Sequence, residues 1–433
     1  MTQYLFIGIP FIALALCFTV PTLRFFETRP DVLVGLVVLL FVVEQMFPMN
    51  QLPPISLGGI NVFPLDIVCP ILLIFAAPYV YSGLKFGFKR KDIPFLALLV
   101  WGMFLSLNFL LGIREYGIQV ATNEFRGYLY IISVAVYVST LNMDYIWPKI
   151  EKFWIYGSVV LTIVALVGYT DGDLSRQGRP LDSTPTLFLL QTSIIGLFMH
   201  VRGTLQRHMI LFCLMLFPML IILQHRSVWI TSILAFGTIL WLVPQVRGVI
   251  LKWGSIALFV FGTIAIVIFG EPLFEALADS YQEAITTRTE KNTSTFVWRL
   301  QGWTGLITGG QMDSVKQILI GNPFGTGWER VVMTSDGLEE VRTESPHNYY
   351  LQTFLRCGLI GFIILLGIHF FGLRHLFHRA YLNQKIRPIL LCLFILLACQ
   401  MVFYFVYGSG FIQAVFLGAV IAFLRQTHDL VYS

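Results

Sequence analysis

The chain has 433 residues, of which 56% are hydrophobic and only 12% charged, with a formal net charge of +5. A soluble domain carries about twice that charged fraction, so the composition argues for a membrane protein. The six cysteines all lie in apolar runs, which argues against a disulfide framework or a zinc site, and no basic tract is interleaved with aromatics as in a nucleic-acid interface.

In chain order, apolar runs of membrane-spanning length fall near 4–23, 31–48, 62–84, 92–112, 125–141, 150–169, 184–201, 207–224, 227–243, 249–269, 348–373, 387–405 and 409–425. The expected fold class is an all-α polytopic membrane protein of about 12–13 transmembrane helices, with one long, partly helical outside segment. Runs that stay apolar, rather than alternating, argue against a β-barrel. The first run has neither a basic flank nor a small-residue cleavage site, and reads as a retained span. Three parts follow: N-terminal transmembrane helices at 1–269, an outside loop or lid at 270–347, and C-terminal transmembrane helices at 348–433. No internal repeat or low-complexity tract is evident.

With the N-terminus outside, seventeen Lys and Arg fall in the inside connections and the C-terminal tail, and five (Arg114, Arg126, Arg176, Arg179, Arg226) in the short outside connections. That bias places 270–347 outside. Within it, Pro272 to Thr287 reads as an amphipathic helix with Leu273, Phe274, Leu277, Tyr281 and Ile285 on one side. Thr293 to Thr308 reads as a second helical stretch carrying Trp298, Arg299 and Trp303, and Gly321 to Gly327 as a turn cluster. A polar tract, Thr334 to Thr343, leads back to the membrane. The segment is short for an independent catalytic domain and reads as a lid over a membrane cavity.

The next stretch, Glu344 to Gly361, joins this segment to an apolar run. Ser345 is its expected helix N-cap and Pro346 its first helical residue. That places His347 in the first turn of a membrane helix, where free backbone N–H groups favour anions and disfavour an imidazolium. A neutral imidazole there suits base chemistry; a plain interfacial polar residue would look the same. Glu344 either orients the imidazole or is a solvated charge.

Arg226 lies in a hairpin with almost no loop. His208 to Val243 is 36 residues, where two spans need roughly 40. Arg226 therefore sits at or just below the surface, facing a cavity or an anion, or snorkelling to headgroup phosphates. Arg176 and Arg179 lie in an outside loop, Arg126 opens the fifth span, and Arg288 and Arg299 lie in the long segment. Of eleven basic residues on this face only Lys291 and Lys316 are lysines. Guanidinium forks match phosphate oxygens, so the bias points to a phosphate or diphosphate ligand, with solvated arginines as the plain alternative. Trp298, Trp303 and Trp328 fit an interface belt or sugar stacking. Gly358 and Gly361 permit close helix packing. Arg356, about 13 Å along the helix from His347, needs a partner or water. No phosphate-binding loop, dinucleotide glycine fingerprint or metal-spaced cluster occurs, so no cofactor and no metal are expected.

His347 and Asn348, followed by Gly358 and Gly361, resemble the His-Asn motif and glycine pair of the bacterial O-antigen ligase and polymerase superfamily. Ile318 to Gly327 is similar to that family's glycine turn before the motif, Arg299 with Trp303 to its Arg-rich outside helix, and His225-Arg226-Ser227 to its short Arg-Ser hairpin. The resemblance covers roughly 180–375. It implies a metal-independent, inverting glycosyltransferase, multi-pass in the bacterial inner (cytoplasmic) membrane, with its active site facing the periplasm. The implied donor is a glycan on undecaprenyl diphosphate. The implied acceptor is a sugar hydroxyl on a lipid core (ligase) or on another lipid-linked repeat (polymerase). A sugar diphosphate is already a good leaving group, so the chemistry needs fixed cations and a base for the acceptor. His347 is then the base or acceptor-orienting residue. Arg226, Arg299 and Arg179 hold the diphosphate, with Arg126, Arg176 and Arg288 as further candidates and Glu344 and Asn348 in support. Two features depart from the pattern: Arg356 stands where many relatives carry an acid, and relatives have about twelve spans.

The competing class is a transporter or flippase of lipid-linked saccharides. It would use the same outside arginines, but also mid-span charges and repeated halves. Charges inside the expected spans are few (Glu44 and Arg356) and no repeat is visible. A scaffold role has no motif behind it. Ligase and polymerase share one donor chemistry and are not separated by these residues.

Overall fold

The structure, a computed structural model, describes residues 20–47, 52–57, 60–169, 179–260, 288–289, 292–293, 295–308, 311–333, 339–343, 345–383 and 386–426, with isolated positions between 260 and 288. The described chain is overwhelmingly helical. It opens with α1 (Val20–Thr28) and α2 (Pro30–Glu44), followed by a small hairpin of β1 (Ile55–Leu57) and β2 (Ile60–Val62). Then come α3 (Pro64–Phe86), α4 (Ile93–Tyr116), α5 (Ile118–Thr140), α6 (Met143–Gly168), α7 (Ser183–Val201), α8 (Arg207–Ile222), α9 (Arg226–Leu242) and α10 (Pro244–Val249). The segment between the two sets of helices contributes β3 (Arg288–Thr289), β4 (Asn292–Thr293), α11 (Thr295–Thr308), α12 (Val315–Ile320), β5 (Arg330–Met333) and β6 (Glu339–Arg342). The chain closes with α13 (Tyr349–Leu382), α14 (Arg387–Tyr404) and α15 (Ala414–Gln426).

Proline starts many of these helices, at Pro30, Pro64 and Pro244, where its missing N–H removes nothing from the helix. Among the described residues, five helices are long and apolar enough to cross a membrane: α3, α4, α6, α7 and α13. A sixth is available if α9 and the helix from Pro244 to Val260, bent by 117°, form one span. Together they make an all-α polytopic membrane protein. A helix occupies the described part of each expected apolar run from 31–48 onward; the run at 4–23 and the end of the run at 249–269 lie mostly outside the described residues. The difference between expected runs and spanning helices is one of length. Among the described residues α2 has 15, α8 has 16 and α15 has 13, short of the ~20 that a full crossing needs. α5 is long enough, but its first turns carry Gln119, Asn123, Glu124 and Arg126.

At the centre lies α7, buried along most of its length. Two of its polar groups bond to neighbouring helices: Thr192 meets Ser158 of α6, and the Ser193 hydroxyl donates to the Cys213 carbonyl at 2.9 Å. Elsewhere α13 packs on α4 and α14, and α5 on α3, α4 and α15.

In the outside segment the helical stretch ending at Thr308 is present as α11 and the Gly321–Gly327 cluster is a turn. The expected helix Pro272–Thr287 falls outside the described residues apart from isolated positions. The polar tract returns partly as a strand, β6, paired with β5 in the register Arg330↔Arg342 to Met333↔Glu339.

Candidate functional site

The turn before α13 differs from expectation in its cap. Asn348, not Ser345, is the N-cap: its side chain accepts from the Leu351 N–H at 3.0 Å. The helix begins at Tyr349, not Pro346. Asn caps as well as Ser does, and tertiary contacts decide between them. The Tyr349 N–H donates to the Tyr407 carbonyl at 3.2 Å, while Ser345 is held by the Gln352 side chain. His347 is therefore outside the helix, exposed, with φ +47. A left-handed histidine costs on the order of 1–3 kcal/mol and persists only when its surroundings impose it. Trp303 of α11 supplies one such constraint, donating Nε1–H to the Pro346 carbonyl at 2.6 Å. With two first-turn N–H groups already engaged, the helix end is a weaker anion site than its sequence implied.

Arg299 lies one helical turn before Trp303, and its guanidinium carbon sits 5.1 Å from the Tyr407 ring centroid. Trp303 meets Phe405 edge-on at 5.8 Å. Arg299 and the His347 turn therefore converge on the loop that follows α14. The Arg299 Nε is buried and finds no hydrogen-bond partner among the described residues.

Arg226 is the first residue of α9, after the tight turn Leu223–Gln224–His225, in which Gln224 has φ +54. With α8 of 16 residues, this arm of the hairpin is about 24 Å long, shorter than a ~30 Å hydrocarbon core. The His225 Nε2 lies 2.8 Å from the Leu181 carbonyl, which makes Nε2 the protonated nitrogen. Tyr169 donates to the Ile222 carbonyl at 3.2 Å and lies within electrostatic reach of Arg179. These bonds tie the Arg179 loop to the Arg226 turn. α9 and α14 pack against each other, with Cys399 Sγ 3.9 Å from the Thr231 carbonyl. Moving five residues outward along each helix brings Arg226 level with Tyr404. Arg226 and Arg179 thus lie at the same end of the bundle as Arg299 and the His347 turn.

Beneath this end, residues 319–328 press into a break in α13. Gly358 has φ +62 and ψ −170, and a Cβ there would lie 2.3 Å from the Leu319 carbonyl carbon. Gly321, at φ +82, would place one 2.5 Å from the Arg356 carbonyl carbon. Only glycine fits either position. The Asn108 amide donates to the Ile320 and Arg356 carbonyls, both at 2.7 Å. Arg356 is fully buried and has its partner: its Nη2 lies 2.8 Å from Glu124 Oε2 of α5 and 2.8 Å from the Gly327 carbonyl, with the guanidinium 4.0 Å over the Trp328 ring. Glu124 also accepts from the N–H groups of Gly325 at 2.8 Å and Gly327 at 2.9 Å. Glu124 and Asn108 are the residues the sequence reading missed. Their signal was a buried span arginine in need of a carboxylate, with acids and amides at the mouths of α4 and α5.

Residues 211–366 match the family described as O-Antigen ligase. This stretch is similar to an O-antigen ligase domain. No curated protein matches the chain. The O-antigen ligase match runs from α8 into α13 and takes in Arg226, Arg299, the 319–328 loop, His347 and Arg356. It supports membership of the O-antigen ligase and polymerase superfamily, and with it a membrane glycosyltransferase of that type. Arg179 and Arg126 precede the O-antigen ligase match. Arg126 is engaged in holding the hairpin to α3: its Nε meets Asp66 at 3.1 Å and its Nη2 the Asn61 carbonyl at 2.6 Å, over the Phe63 ring. Arg288, inside the O-antigen ligase match, lies in β3 paired with Thr293. Arg176 and Glu344 lie outside the described residues. Among the described residues no group of three His, Cys, Asp or Glu side chains is placed to hold a metal.

Proposed function

We propose that the protein transfers a glycan from undecaprenyl diphosphate to a sugar hydroxyl, at the periplasmic face of a bacterial inner membrane, as an O-antigen ligase or a surface-polysaccharide polymerase. The observation that carries this reading is the convergence of His347, held in a strained turn by Trp303, with Arg299 on the same loop and Arg226 at its level. In the proposed step the bond from the sugar's anomeric carbon to the diphosphate oxygen breaks. A bond from the acceptor oxygen to that carbon forms on the opposite face, which inverts the centre. His347 accepts the acceptor hydroxyl's proton or orients that hydroxyl. Arg226, Arg299 and Arg179 meet the charge that develops on the leaving diphosphate, so protein cations do the electrostatic work. Arg126, already saturated by Asp66 and Asn61, contributes by holding the frame. Residues 270–347 act as the lid, between transmembrane parts at 1–269 and 348–433.

The test is to incubate the purified protein with a lipid-linked glycan and an acceptor, and to follow undecaprenyl diphosphate. Its stoichiometric release with glycan transfer is the expected result. Movement of intact lipid-linked glycan across the bilayer without release would instead mark a transporter.

A further inference from the structure

A second site lies at the far end of α13. A cavity of about 1030 Å³ is lined there by five basic side chains: Lys91, Arg374, His375, His378 and Arg379. It is distinct from the His347 site, since about 24 Å of helix separates Gly358 from Arg374. Four of the five lie on α13 at i, i+1, i+4 and i+5, which stacks Arg374 on His378 and His375 on Arg379. Among the described residues no carboxylate lines the cavity. Asp92, next to Lys91, is committed to Arg425 at 3.0 Å, to the Tyr79 hydroxyl at 2.8 Å and to the Lys89 N–H at 3.0 Å. The rim is built in place: Arg379 donates to the Leu424 carbonyl at 2.8 Å. His375 donates Nδ1–H to the Phe371 carbonyl at 3.0 Å with its ring stacked on Phe371, which fixes that ring in the wall. Ile93, Phe371 and Leu424 make the remaining wall apolar.

We infer that this cavity binds a phosphate group, and that the phosphate is the headgroup of an anionic membrane lipid. Cationic side chains take the phosphate oxygens and the apolar wall takes the first acyl methylenes. Basic pockets between helices at the inner membrane surface are suited to such headgroups. The inference does not depend on the transfer chemistry at His347.

The test uses the full-length protein in detergent, with dioleoyl phosphatidylglycerol, dioleoyl phosphatidylcholine and inorganic phosphate as probes, and native mass spectrometry of retained lipid as the readout. The wild type is expected to retain phosphatidylglycerol roughly tenfold over phosphatidylcholine, R374A/H378A less than about threefold, and R374K/H378K close to wild type. Phosphatidylglycerol retention that resists millimolar inorganic phosphate supports the lipid source. Displacement by inorganic phosphate, lost in R374A/H378A, would overturn the lipid source in favour of free phosphate. Equal retention of both lipids by the wild type, or an undiminished preference in R374A/H378A, would overturn the site.

Discussion

Replacing Glu124 strips Arg356 of its carboxylate and the Gly325 and Gly327 N–H groups of their acceptor in one step. Arg356 has 0% side-chain exposure and Glu124 15%, so the stranded charge has little water to turn to. Breaking such a pair from one side costs about 3–5 kcal/mol, and each amide left without an acceptor about 1–3 kcal/mol where water is excluded. Both glycines are half-buried, so their share falls at the low end. We expect Glu124→Ala to lose at least about 4 kcal/mol, read as unfolding in a mild detergent against a denaturant series. Removing both charges, as in E124Q/R356M, leaves no buried charge unpaired and should recover about 1–4 kcal/mol relative to E124Q. A Glu124→Ala protein within about 1 kcal/mol of wild type, or single substitutions that simply add, would refute the clasp.

Gly358→Ala meets Leu319 at the helix break and should cost more than about 2 kcal/mol, visible as a lowered melting temperature and loss of transfer. Asn348→Ala removes the cap of α13 and should cost about 0.5–2 kcal/mol, with Asn348→Asp retaining most of it in the same melt. Trp303→Phe keeps the ring but loses the bond to Pro346. It should lower transfer by roughly tenfold, worth about 1.4 kcal/mol, with the melting temperature nearly unchanged. Arg126→Gln should lower stability and leave transfer per folded molecule near wild type, whereas Arg226→Gln should do the reverse; comparing the melt with the turnover separates them.

The all-α membrane architecture, the tight hairpin before Arg226, the helix ending at Thr308 and the turn at Gly321–Gly327 were readable because each is set by local pattern: apolar length, helical period and turn residues. The cap of α13 was misplaced because Ser345 and Asn348 are both good capping residues. What chooses Asn348 is the Tyr407 carbonyl, on another helix's loop. The partner of Arg356 was hidden for the same reason: Glu124 belongs to a distant span, and only packing around Gly358 brings them together. Helix lengths such as the 16 residues of α8 were overestimated because an apolar run continues through a turn that backbone geometry, not hydropathy, decides.

The most direct test of the account is the rate of undecaprenyl diphosphate release by His347→Ala and wild-type protein, at matched expression and matched melting temperature, with a lipid-linked glycan and its acceptor. If His347 takes or steers the acceptor's proton, the substitution lowers the rate by about 10²–10⁴-fold. A His347→Ala protein that releases undecaprenyl diphosphate and transfers glycan at the wild-type rate would contradict the assignment of the reaction to this turn.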